Sequence, residues 1–83
     1  MAAILIEPVE TTTIGGFHAE ITGVDIASRD VALVGTIISR TMRKIRARWT
    51  ENGYCIETEG CNLILTNFEV SDVLTLRERL LGR

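Results

Sequence analysis

The stretch DVALVGTIISRTMRKIRARWTEN, residues 30–52, decides the fold that the sequence predicts. When it is wound as a helix of about 3.6 residues per turn, its apolar side chains form a single stripe. The stripe consists of Val34, Ile38, Met42, Ile45 and Trp49. Ser28 or Asp30 can cap the start, and Gly53 supplies a stop in the left-handed region. The sequence therefore predicts one long amphipathic helix over 30–52.

The face opposite this stripe is basic. Its members are Arg40, Arg43, Lys44 and Arg48. Arg is well suited to bind carboxylate and phosphate groups with two parallel hydrogen bonds, so these four residues are the candidate partner-binding residues. Leu33 and Ile37 fall on the same polar side and lack a cover, and an uncovered apolar patch usually marks an interface. We therefore predict a homodimer or an obligate partner contact through Leu33 and Ile37.

The residues before this helix predict two strands. Residues 3–6 form a short apolar strand, and residues 17–26 form a second strand that alternates apolar and polar residues. Gly15 and Gly16 mark the turn of a hairpin. The alternation changes phase after Gly23, which predicts a bulge there, since a slip of one residue moves every later side chain to the other face.

The residues after the long helix predict a second hairpin and a closing helix. Residues 53–66 form the hairpin, with Glu59 and Gly60 as its two-residue turn. Residues 68–81 form the helix. The predicted order is β-β-α-β-β-α, which defines an α+β fold: a small two-layer domain with an antiparallel sheet and helices on one face. We expect residues 1–83 to form a single domain.

Composition excludes several classes of protein. The chain is 46% hydrophobic and 24% charged. These values are typical of a globular protein and argue against disorder. No apolar run approaches the roughly 20 residues that span a bilayer, so no membrane partner is expected. The N-terminus lacks the basic region of a signal peptide.

The two cysteines, Cys55 and Cys61, are too few for a disulfide framework. The predicted hairpin over 53–66 also places them on opposite faces, where they cannot bond to each other. We therefore expect free thiols in a cytoplasmic protein.

Charge is segregated along the chain. Residues 1–28 contain four acids and no Lys or Arg, residues 29–50 contain six Lys or Arg and one acid, and residues 51–83 contain six acids and three Arg. The basic face is therefore a solvated surface, a site for an acidic protein partner or a site for nucleic acid. A pI near 5.3 and the scarcity of aromatic residues make nucleic acid the less favoured partner.

Few residues could carry catalysis or hold a cofactor. His18 is the only histidine and shares a strand face with Glu20, whereas a zinc site needs three or four ligands. The sequence contains no Gly-x-Ser-x-Gly nucleophile turn and no phosphate-binding loop signature. We therefore predict no catalytic residue, no metal site, no cofactor and no enzymatic activity.

Residues 19–26, AEITGVDI, resemble the first strand of taurine-dioxygenase-type, 2-oxoglutarate-dependent enzymes. Those enzymes bind iron through a His-x-Asp pair and a distant histidine. This chain has one histidine and no such pair, so the resemblance does not extend to that activity.

The charge pattern and the missing catalytic groups together favour a small non-enzymatic protein-binding module. It would act as a regulator or inhibitor by occupying a surface of a larger protein or complex. Small phage and mobile-element proteins act in this way on host machinery, including CRISPR complexes. The alternative is a nucleic-acid-binding regulator that uses the basic face of the helix at 30–52. A third interpretation is a subunit that is completed by a partner.

Overall fold

The computed structural model describes residues 3–28, 30–57 and 60–82. Within those ranges, four strands precede one helix. The elements are β1 (Ala3–Thr12), β2 (His18–Asp25), β3 (Leu33–Ile38), β4 (Lys44–Trp49) and α1 (Phe68–Leu80). The strands pair antiparallel in chain order, β1-β2-β3-β4. The helix α1 packs against one face of the sheet, on the side of β1 and β2.

The predicted order β-β-α-β-β-α is wrong, because residues 30–52 form the β3–β4 hairpin. The described elements follow the order β-β-β-β-α, and α1 is the single helix among them. In β4, Lys-Ile-Arg-Ala-Arg-Trp alternates charged and apolar residues, which is the period of a strand. In β3, four of six residues are β-branched and suit a pleated sheet. The α+β class is retained, with one helix on the sheet where several were predicted.

The β1–β2 hairpin and its turn at Gly15 and Gly16 were predicted, but β1 continues through Pro8 to Thr12, whereas the sequence predicted a strand over residues 3–6 only. Thr13 N donates to Phe17 O at 2.9 Å, and Gly16 N donates to Thr13 O at 3.0 Å. Gly16 has a φ of 83°, which a residue with a side chain rarely adopts. The pairing of β2 with β3 shifts register between Ile21 and Gly23, which confirms the predicted bulge.

The hairpin predicted over 53–66 does not form a strand pair in the described residues, and Glu59 of its proposed turn lies outside them. Residues 53–57 and 60–66 instead make two isolated bridges. The bridges are Trp49–Cys55 and Thr13–Leu63. The Asn62 side chain supplies a hydrogen bond that the backbone would supply in a regular strand pair. Its Oδ1 accepts a hydrogen bond from Cys55 N at 2.8 Å.

The helix α1 confirms the closing helix predicted over 68–81. The Asn67 side chain makes no capping hydrogen bond and instead donates from Nδ2 to Thr11 Oγ1 at 3.4 Å. Thr11 Oγ1 in turn donates to Glu69 Oε1 at 2.9 Å. These contacts attach the start of α1 to β1.

The core lies between the sheet, α1 and the loop that precedes α1. Trp49 is fully buried, and its indole Nε1 donates to Cys61 O at 2.9 Å. The other core residues are Ala19, Ile21, Val24, Ala32, Leu33, Ile37, Ala47, Cys61, Leu63, Val70 and Val73. Leu33 is 0% exposed and Ile37 is 4% exposed. These two residues therefore do not form the exposed apolar patch that the sequence predicted. Buried in the core, they are not available for the predicted interface.

Both cysteines are free thiols. Cys61 is buried. That burial, together with the negative charge that Cys55 can carry, raises the pKa of the Cys61 thiol. Cys61 is therefore the less reactive of the two, because the thiolate is the reacting form.

Candidate functional site

The face of the sheet opposite α1 is open, and strand register sets its residues in three rows. One row is Leu5, Gly23, Val34 and Arg48; the next is Glu10, Glu20, Thr36 and Arg46; the third is Thr12, His18, Ile38 and Lys44. These positions alternate with the buried core positions along β2, β3 and β4. We call this set of residues the open face.

The basic residues of the sheet belong to the β3–β4 hairpin. Lys44, Arg46 and Arg48 are exposed on the open face of β4, while Arg40 and Arg43 lie in the turn between the strands. We call these five residues the basic hairpin. It contains all four predicted partner-binding residues and also Arg46, which the helical spacing did not group with them. The alternation of β4 is the sequence signal that identifies Arg46.

The turn of the basic hairpin is held by backbone hydrogen bonds. Ser39 N donates to Arg43 O at 2.9 Å, and Met42 N donates to Ser39 O at 2.9 Å. Met42 has a φ of 62° and is the one described non-glycine residue with a positive φ. The Arg40 guanidinium lies 5.9 Å from the centre of the Phe17 ring. This distance is within cation–π range. Arg40 thus contacts Phe17, and residues 40–43 of the turn are exposed.

We expect Met42→Gly to raise the free energy of unfolding by about 0.5–1 kcal/mol. The left-handed conformation costs a residue with a side chain about 1–2 kcal/mol, and part of the gain is offset by the entropy of glycine in the unfolded chain. Urea denaturation followed by tryptophan fluorescence measures the change. Thr41→Gly is the matched control and should destabilise, because Thr41 has no positive φ. Equal effects of the two substitutions would contradict this turn geometry.

Arg48 is the one member of the basic hairpin with an ion pair among the described residues. Its Nε contacts Glu57 Oε1, and its backbone N donates to Glu57 Oε2 at 2.9 Å. Burial raises the pKa of the Glu57 carboxyl, but the hydrogen bonds and positive charge of Arg48 outweigh burial and leave that pKa below its ordinary value. Arg48 therefore has a local partner, whereas the charges of Lys44 and Arg46 are available to another molecule.

A groove of about 580 Å³ crosses one end of the open face. Leu5 and Val34 provide apolar lining, and the side chains of Thr36, Arg46 and Arg48 add polar and charged groups. Leu5 is 81% exposed. Asp25 also lines the groove, so a bound carboxylate would have to lie at the Arg46 and Arg48 side, beside an apolar group at Leu5 and Val34.

The other side of the open face is acidic. Glu10 on β1 and Glu20 on β2 lie directly opposite each other. Two like charges in this arrangement destabilise a sheet. His18 Nε2 lies 3.6 Å from Glu10 Oε1, so the imidazole is a close polar neighbour of the Glu10 carboxylate. The open face thus has an acidic half on β1 and β2 and a basic half on β4.

Within residues 3–28, 30–57 and 60–82, no group of three or more His, Cys, Asp or Glu side chains could hold a metal ion. The helix α1 is too short and too polar to cross a bilayer, and the described residues contain no other helix that could. Comparison of the chain with protein-family models, curated proteins and solved structures found no match. The geometry of the open face and of the basic hairpin is therefore the basis for a functional proposal.

Proposed function

We propose that the protein is a small, non-enzymatic, cytoplasmic binding module that occupies an acidic surface of a larger protein or complex through its basic hairpin. It would regulate or inhibit that partner, in the manner of small phage and mobile-element proteins such as anti-CRISPR proteins. The observation that carries the proposal is the set of cations on the β3–β4 hairpin. Of these, only Arg48 has an ion pair among the described residues, so Arg40, Arg43, Lys44 and Arg46 can each bind a carboxylate.

The chemistry of the surroundings supports a protein partner. Two members of the basic hairpin, Arg46 and Arg48, line the groove together with the apolar side chains of Leu5 and Val34. Protein interfaces combine an apolar centre with a polar rim, and Arg is enriched in them. A partner surface with Asp or Glu beside an exposed apolar side chain therefore fits this region.

Nucleic acid is the second candidate, and one observation favours it. The basic hairpin is a two-stranded ribbon with Arg40 and Arg43 at its tip, and a two-stranded ribbon can enter the major groove of DNA. Glu10 and Glu20 lie on the same face and repel a phosphate backbone. We therefore rank a protein partner first.

The proposal is tested with a variant in which Arg40, Arg43, Lys44 and Arg46 are all replaced by Gln. Arg48 is kept because it holds Glu57. We expect the variant to fold with a loss of less than about 1 kcal/mol, since exposed charges contribute little to stability. Wild-type protein should retain a partner from nuclease-treated host extract, and the variant should not. Arg79→Gln, a change to a residue of α1 outside the basic hairpin, is the control and should retain the partner.

Two outcomes would contradict this interpretation. Equal capture by wild type and variant would show that the basic hairpin is only a solvated surface. A saturable gel shift of a DNA or RNA oligonucleotide at physiological salt, lost in the variant and falling steeply as salt rises, would make nucleic acid the partner.

A further inference from the structure

The charges of the open face are arranged so that they cannot neutralise each other within one chain. Glu20 and Arg46 lie in one row but are two strands apart. At the usual strand spacing, this separation is about 10 Å. Glu10 is one strand further away. No ion pair among the described residues joins the acidic half to the basic half. Each half is therefore a group of like charges that the other half of the same chain does not neutralise, and that a surface of opposite charge can bind.

We propose that the acidic surface bound by Lys44 and Arg46 is the acidic half of the open face of a second copy of this chain. The proposal rests on the proposed function in taking the basic hairpin as a protein-binding surface. It differs in the partner, because here the two halves of one face complement each other across a homodimer.

Charge selects the geometry of this dimer. Two copies packed face to face about a twofold axis perpendicular to the strands would place β1 over β1 and β4 over β4, so that like charges meet. An axis parallel to the strands places β1 of one copy over β4 of the other. Glu10 then faces Arg46 of the second copy at both ends of the interface, and Glu20 and Lys44 lie beside this contact, one on the neighbouring strand and the other in the neighbouring row. Such a twofold contact uses the same patch on both copies.

The middle of the open face suits the centre of this interface. Val34, Thr36 and Ile38 on β3 are half-buried, and none of them is charged. Two sheets can pack about 10 Å apart with their strands nearly aligned, which lets such side chains interdigitate. Leu5 would also gain cover, since it is 81% exposed in the single chain. An apolar centre between charged ends is the usual anatomy of an interface.

The hairpin tip stays outside this interface. Arg40 and Arg43 lie in the turn beyond the row that ends at Lys44. An axis parallel to the strands brings both tips to the same end of the dimer. The dimer would therefore present two pairs of Arg side chains to the larger partner.

The interface is small, so we expect a weak dimer. Four strands at about 4.8 Å spacing and six residues at about 3.4 Å give a face of about 19 by 20 Å. That is below the roughly 800 Å² per partner of a standard interface. We expect a dissociation constant of about 10–100 µM. Raising salt from about 50 mM to about 500 mM should dissociate the dimer, because salt screens exposed charges.

Analytical ultracentrifugation of charge-reversed variants tests the proposal. We expect Lys44→Glu/Arg46→Glu to be monomeric, and Glu10→Lys/Glu20→Lys to be monomeric as well. Mixing these two variants should restore a one-to-one dimer, because the facing side chains at positions 10 and 46 then carry opposite charges at both ends of the interface. Arg48, which both variants keep, stays paired with Glu57. Arg40→Glu/Arg43→Glu changes net charge by the same amount as the first variant and should remain dimeric. Circular dichroism checks that each variant is folded.

A strictly monomeric wild-type protein at about 0.5 mM and low salt would overturn the dimer, since this concentration exceeds the expected dissociation constant. Dimers that survive both charge reversals, or a mixture that stays monomeric, would overturn it too. These results are separate from the capture experiment. A monomer whose basic hairpin still retains a partner would leave the proposed function standing, and a dimer without such a partner would leave only the self-association.

Discussion

Replacing Leu33 with Asp is expected to unfold the domain, with a loss of more than about 4 kcal/mol. Leu33 is 0% exposed and lies opposite Val24 and Trp49 in the sheet, both of which are also fully buried. A carboxylate at this position would be buried without a partner, which costs several kcal/mol. At about 0.05–0.15 kcal/mol per residue, a domain of this length has a free energy of unfolding of about 4–12 kcal/mol. A loss of this size removes most or all of it, so circular dichroism should show a strongly shifted unfolding transition or none.

Val34→Asp is the matched control for this prediction. Val34 is the next residue of β3, half-buried on the open face and directly opposite Arg48. A carboxylate there remains near solvent and beside a guanidinium, so we expect a loss of less than about 1 kcal/mol. A helix over 30–52 would reverse the result, because Val34 would then lie in the apolar stripe and Leu33 on the polar face. If the two substitutions lowered the free energy of unfolding equally, or if Val34→Asp lowered it more, the assignment of these residues to strand β3 would be contradicted.

The parts of the fold that could be predicted from the sequence are those with a single periodicity. Residues 17–26 alternate clearly, and the change of phase at Gly23 predicted the bulge that the structure contains. Residues 68–81 match only a helical period, and α1 is present there. In these segments local propensity and the final packing favour the same element, so no tertiary information was needed.

Residues 30–52 satisfy two periods at once, and the turn that would have decided between them carries no usual signal. The hairpin turn over Ser39–Arg43 has no Gly, Pro, Asn or Asp. Its left-handed position is occupied by Met42, where Gly or Asn is usual. Without a visible turn, Ile45 and Trp49 fit the stripe of one long helix as well as one face of β4. The strict alternation of β4 was the evidence for a strand.

The candidate site was predicted in part. Lys44 and Arg48 are exposed in either arrangement, because a helix and a strand both direct them away from Trp49. Arg46 lies on the same side as Lys44 and Arg48 only if the segment is a strand, in which alternate residues share a face. The acidic half of the open face depends on the pairing of Glu10 with Glu20 across the β1–β2 hairpin. Strand register is a property of the assembled sheet, so this pairing was not visible in the sequence pattern.

The role of Arg77 was also hidden from the sequence, where it was one of two Arg side chains in the last turn of α1. Its side chain is 5% exposed, and its Nε donates to Asp25 O at the end of β2 at 2.8 Å. Its Nη1 lies 3.7 Å from Glu51 Oε2, but the Glu51 side chain is 58% exposed. Solvent therefore largely screens this charge contact. The hydrogen bond to Asp25 is the contact that attaches the end of α1 to the sheet.

Arg77→Ala is expected to lower the free energy of unfolding by about 2–4 kcal/mol. Leaving the Asp25 carbonyl without its donor costs about 1–3 kcal/mol, and the loss of the buried aliphatic stem adds a packing cost. Arg77→Met keeps most of the stem and should recover only the packing part. Arg79→Ala removes the same charge from the same turn of α1, at a position outside the core. It should change stability by less than about 0.5 kcal/mol.

Urea denaturation followed by the fluorescence of Trp49, the single tryptophan, measures all three variants. The expected order of stability is Arg79→Ala above Arg77→Met above Arg77→Ala, since each step removes one more of the contacts that Arg77 makes. Suppose that Arg77→Ala and Arg79→Ala were half-unfolded at the same urea concentration. The hydrogen bond to Asp25 would then contribute nothing to stability, and α1 would be held by its apolar contacts alone.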